Sequence, residues 1–124
     1  MVRYFHSEVV SIGDGANEMI DGGVVIFFAE PCPAELADVS IVHRVINADP
    51  QRNPEAGDVL RVGDSRLAIT AVGALAGDNL RSLGHLVVYR NPDLSQSLLP
   101  GAVQAVGDLT VPPVGAVIEL IAGA

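Results

Sequence analysis

Apolar residues along this chain fall in short bursts that alternate with polar neighbours and stop at glycine or proline. That period of two belongs to strands whose successive side chains point to opposite faces. β-branched and apolar residues concentrate in eight such segments: Arg3–Ile12, Gly23–Glu30, Val39–Ile46, Val59–Val62, Arg66–Val72, His85–Arg90, Ala102–Val106 and Ala116–Ile121. Eight short strands predict a barrel or a sandwich. Sheet edges must be closed, covered or paired, so closure of the sheet or pairing into a homodimer is expected. Helix is minor. Pro33–Ala37 and Asp78–Leu83 read as short helical turns, with Asp14–Ile20 as a third candidate. Asp78 is placed to cap its turn and Gly84 to stop it. No composition shift or internal repeat divides the chain, so residues 1–124 are read as a single domain.

Charge and composition narrow the function by exclusion. The net charge is −8, from 15 acidic against 7 basic residues, the wrong sign for nucleic acid or an anionic membrane surface. All the basic residues are arginine. Without lysine there is no P-loop lysine and no Schiff base, hence no pyridoxal phosphate chemistry. Gly13-Asp14-Gly15 lacks the third glycine of a dinucleotide loop and reads as a turn. The apolar run Val24–Ala29 is far too short to cross a bilayer, and Met1–Glu8 is not a signal sequence, so a cytoplasmic protein is expected. Cys32, the single cysteine, sits between Pro31 and Pro33 and reads as a loop residue. An activated Cys32 would need a neighbouring base such as His43.

Three histidines remain as candidates. His6 reads as a half-exposed strand residue. His43 shares a face with Val39, Ile41 and Val45 and interrupts an apolar row. It is either a core histidine with satisfied hydrogen bonds or a partly desolvated, neutral nucleophile. His85 opens a strand after Gly84, either bonded to a loop carbonyl or facing a phosphoryl group held elsewhere. No two histidines have metal-ligand spacing, and there is no GxSxG elbow. These residues alone do not name a reaction.

The block AITAVGALAGDNLRSLGH, from Ala68 to His85, resembles the signature of the glucitol/sorbitol-specific IIA components of the bacterial sugar phosphotransferase system, in which TAVG precedes NLxxLGH. Ile12-Gly13, Ile41-Val42-His43 and Leu99-Pro100-Gly101-Ala102-Val103 match in the same order, to about Val117. The run Arg44-Val45-Ile46-Asn47 and the loop Asp49–Asp58 depart from the family pattern. The resemblance implies a small β-barrel that acts as a phosphocarrier without cofactor or metal. It implies that HPr donates the phosphoryl group to His43, which hands it to a cysteine of the IIB domain of a sugar-alcohol permease with its IIC component. Nε2 is then expected as the acceptor, with Nδ1–H held by a backbone carbonyl. Asn79 and His85 are expected to donate to the phosphoryl oxygens, and the apolar surroundings of His43 to form the docking patch. The alternatives are a regulatory or binding module of the same fold that transfers nothing, and a structural domain that assembles by strand pairing.

Overall fold

The computed structural model describes residues 2–93 and 95–123. All eight expected strands form: β1 (Arg3–Ile12), β2 (Val24–Ala29), β3 (Ile41–Ala48), β4 (Val59–Val62), β5 (Ser65–Val72), β6 (Leu86–Arg90), β7 (Ala102–Val106) and β8 (Val117–Ile121). Three short helices lie in the connections, α1 (Ala16–Asp21), α2 (Ala34–Ala37) and α3 (Ala76–Leu83), so the third candidate turn forms as well. Only β3 is clearly displaced from its expected limits. The amides of Val39 and Ser40 bond the carbonyls of Leu36 and Ala37, which ends α2 and delays the strand to Ile41.

The strands close in the order β1-β3-β2-β6-β7-β5-β4-β8, with β8 returning to β1. Closure gives every strand a neighbour on both sides, which is the first of the two expected ways to satisfy the sheet edges. β2/β3 and β6/β7 pair in parallel and the other neighbours antiparallel. Aliphatic and aromatic side chains fill the interior, among them Phe27, Ile41, Leu60, Leu67, Ile69, Val88 and Leu120. Burial of each contributes about 1.5–3 kcal/mol before the entropy of ordering the chain.

Contrary to the sequence reading, the backbone contains a repeat. In the first unit Val9 pairs His43, Ser11 pairs Val42 and Ile12 pairs Ile41. In the second, Ile69 pairs Ala105, Ala71 pairs Gln104 and Val72 pairs Val103, with the same one-residue bulge. Hydrogen bonds repeat in step: Gly13 N to Ser40 O matches Gly73 N to Ala102 O, and Glu30 N to His43 O matches Asn91 N to Ala105 O. A side chain on Gly13 would collide with the carbonyls of Ala37 and Asp38, and one on Gly73 with those of Leu99 and Pro100. His43 is therefore the counterpart of Ala105, and Ser7 of Leu67.

Candidate functional site

β3 is buried at Ile41, Val42 and His43 and exposed from Arg44 onward. The expected apolar row thus ends at His43. The ladder slips at the His6–Ser7 step, leaving Ile46 without a partner on β1, and both Val45 and Ile46 face solvent. Arg44 turns outward and pairs with Glu30.

The His43 ring is only 1% exposed. It points into the barrel, where Phe5 and Phe27 present edge-on rings with centroids 6.0 and 6.4 Å away. Both nitrogens are engaged. Nδ1 lies 2.5 Å from Ser7 Oγ, and Nε2 lies 2.7 Å from the Gly84 carbonyl oxygen. A carbonyl only accepts, so Nε2 carries the proton and the Ser7 hydroxyl donates to the Nδ1 lone pair. This reverses the expected arrangement, in which a backbone carbonyl holds Nδ1–H and Nε2 is free.

Gly84 reaches this position because α3 ends in a left-handed turn. Its φ is 59° and its amide bonds the Leu80 carbonyl. A side chain at Gly84 would collide with Ala29. Glycine therefore serves both the turn and the close approach that sets its carbonyl on Nε2. Asp78 does not cap α3. It lies in the first turn and pairs with Arg81.

Burial pushes the His43 pKa below the ordinary histidine value, and the hydrogen bond to Gly84 only partly opposes it. The folded protein resists a proton that the unfolded chain takes up near pH ~6.5. The stability this represents is present above that pH and lost as pH falls through the folded pKa. Thermal unfolding followed by circular dichroism should show a midpoint that drops between about pH 7 and about pH 5. His43→Gln should flatten this slope. His85 is shifted in the same direction by burial and accounts for part of the remainder.

The structure does not bring the other expected contacts to His43. Asn79 and His85 line a separate groove of about 210 Å³ with Tyr89 and Gly101. The His85 ring stands edge-on to Phe28 at 5.0 Å. Neither side chain hydrogen-bonds His43, whose two ring bonds go to Ser7 and Gly84. Nor is His43 available as a base for Cys32. Burial pushes that thiol up, away from a reactive thiolate. His6 is half-buried.

Behind Gly84 lies a groove of about 400 Å³ lined by Phe28, Val45, Leu80, Arg81 and Leu83, with Gly84 itself in its wall. The exposed apolar surface expected around His43 is here, at Val45 and Leu83, rather than around the buried ring.

Residues 4–119 match the family model described as the PTS system glucitol/sorbitol-specific IIA component. The chain belongs to this family. The glucitol/sorbitol-specific EIIA components of Shigella flexneri and Escherichia coli (strain K12) are each 31% identical to it over 107 residues, covering 86% of this chain and 85% of theirs. The crystal structure of a PTS system IIA component from Enterococcus faecalis V583 superposes with a TM-score of 0.75 at 22% identity, over 94% of this chain and 99% of the other, and shares the fold. No helix among the described residues of this IIA chain is long and apolar enough to cross a membrane.

Two parts of the His43 environment were not anticipated: the Ser7 hydroxyl and the Gly84 carbonyl. Ser7 had a signal, because it interrupts the row Phe5-Ser7-Val9 as His43 interrupts its own. The carbonyl had none, since its placement depends on contacts across the barrel.

Proposed function

We propose that this IIA chain is a phosphocarrier in which His43 accepts a phosphoryl group from the phosphohistidine of HPr. It then passes the group to the IIB domain of a permease for a sugar alcohol of the glucitol type, working at the cytoplasmic face of the membrane. The observation that supports this reading is an imidazole held at both nitrogens in an apolar wall, its Nε2 bonded to Gly84, which itself lines an open groove. A neutral ring keeps the lone pair that attack on phosphorus requires. Histidine-to-histidine transfer is nearly balanced, so positioning and charge stabilisation supply most of what the protein adds. In this conformation the Gly84 carbonyl blocks Nε2, and transfer requires it to move aside. At rest Asn79 and His85 line another groove, so donation to the phosphoryl oxygens would need them to approach His43 as well.

A second reading is a binding module that keeps the fold and transfers nothing. The near-complete burial of His43 favours it. Incubation with enzyme I, HPr and phosphoenolpyruvate, then intact mass at alkaline pH, separates the two. The expected result is a gain of one phosphoryl group that maps to His43. No gain, while a known IIA component in the same mixture is phosphorylated, would leave the binding module.

A further inference from the structure

Ser7 and His43 face each other inside an otherwise apolar region of the barrel, and the repeat supplies a comparison for them. At the equivalent positions the second unit carries Leu67 and Ala105, both fully buried. The same backbone therefore closes there around an apolar pair. A hydroxyl removed from water costs about 1–3 kcal/mol unless it is hydrogen-bonded. Ser7 is 0% exposed, and its side-chain oxygen is bonded to His43.

We propose that Ser7 is a positioning residue that holds the His43 ring before and after phosphoryl transfer, its hydroxyl donating to Nδ1 at rest and accepting from Nδ1–H once Nε2 carries phosphorus. This rests on the phosphocarrier reading. At rest the proton sits on Nε2, facing Gly84. For Nε2 to attack, that proton passes to water of the groove as the Gly84 carbonyl moves aside, and Nδ1 takes one from water admitted by the same opening, so the ring stays neutral with no net exchange of protons. The Nε2 lone pair then forms the new N–P bond. The bond from phosphorus to the donor ring, protonated at its other nitrogen, breaks; its electron pair returns to that ring, which leaves as neutral imidazole, and the His43 ring takes over the positive charge beside the phosphoryl group. Nδ1, now protonated, needs an acceptor where it previously needed a donor. A hydroxyl meets both demands by rotating, whereas a carboxylate or a carbonyl meets only one. Nε2 is the reacting nitrogen because its neighbour Gly84 lines the open groove. Nδ1 faces Ser7, which solvent does not reach.

The test combines nitrogen-15 NMR of the histidine rings with phosphorylation rates in wild type and Ser7→Ala. In the wild type the proton should sit on Nε2 before phosphorylation; afterwards phosphorus should be on Nε2 and the proton on Nδ1. Ser7→Ala should still fold, since the second unit is apolar at this position. It should accept phosphoryl groups about tenfold more slowly or worse, because a buried ring nitrogen loses its partner. Its resting ring should keep the proton on Nε2, which the Gly84 carbonyl still fixes, but the Nδ1 resonance should shift in both the resting and the phosphorylated ring because its partner is gone. Phosphorus found on Nδ1 of the wild type would overturn the proposal, and that measurement decides even if Ser7→Ala fails to fold. So would a Ser7→Ala rate within about twofold of wild type together with an unchanged Nδ1 resonance. A wild-type protein that accepts no phosphoryl group would overturn both this proposal and the carrier reading beneath it.

Discussion

Replacing His43 by glutamine is expected to abolish phosphoryl uptake while leaving the barrel folded. The terminal amide of glutamine reaches about as far as Nε2 and can donate to the Gly84 carbonyl, so the interior keeps that bond. Its nitrogen lone pair is delocalised and does not attack phosphorus. Alanine is a poorer probe. The ring is 1% exposed and packs against Phe5 and Phe27. Truncation would leave a cavity, costing about 2–5 kcal/mol by comparison with other large-to-small core changes. It would also strand the Ser7 hydroxyl and the Gly84 carbonyl. Intact mass under alkaline conditions reads the first half of the expectation, and thermal unfolding reads the second. A folded glutamine variant that still gains one phosphoryl group would remove His43 from the mechanism.

The strands were legible because each is short, punctuated by glycine or proline, and built on a period of two. β1, β4 and β7 have the limits read from the pattern. The pattern carries no information on which strands pair, so the parallel β2/β3 and β6/β7 ladders were not visible. The repeat was hidden because equivalent positions hold unlike residues, His43 against Ala105 and Ser7 against Leu67. What the units share is hydrogen-bond register, a property of the backbone. His43 was legible as a polar residue in an apolar row. The row itself was drawn too far, since the slip at Ile46 turns Val45 out to solvent. Gly84 was correctly read as the stop of α3. Its part in setting the ring tautomer depends on Ala29 and His43 lying beside it in the folded barrel.

The largest loss of stability is expected far from the His43 ring, at Asp58. This carboxylate is 2% exposed and lies at the end of the loop that follows β3. It accepts from the Tyr4 hydroxyl at 2.7 Å, from the amides of Glu55 and Gly123 at 3.0 and 2.9 Å, and from Arg52, which reaches both oxygens at 3.0 Å. The Arg52 guanidinium also lies 4.6 Å over the Tyr4 ring. Asp58 thus joins the start of β1, the 49–58 loop and the segment after β8. These are the ends of the two strands whose pairing closes the barrel. Asp58→Ala would leave a hydroxyl, two amides and one nitrogen of the half-buried Arg52 guanidinium without their acceptor, the other nitrogen keeping Glu55 and the Asn53 carbonyl. Each buried partner stranded in this way costs about 1–3 kcal/mol, which puts the whole loss at several kcal/mol. That is a large share of the roughly 5–15 kcal/mol that holds a domain together. Asp58→Asn keeps the shape and should cost less. Burial alone would raise the Asp58 pKa, but the bonds from Gly123, Tyr4 and Glu55, with Arg52 beside them, outweigh it and hold the value below the usual carboxylate range. Its contribution is therefore present above the ordinary carboxylate pKa and lost as pH falls through the lower folded value. Urea unfolding of wild type, Asp58→Asn and Asp58→Ala at neutral and acid pH should show the gap narrowing in acid. A neutral-pH loss under about 1 kcal/mol for Asp58→Ala would mean that water replaces the carboxylate without penalty. The closure of β1 on β8 would then rest on the strand ladder alone, and with it the placement of Ser7 against His43.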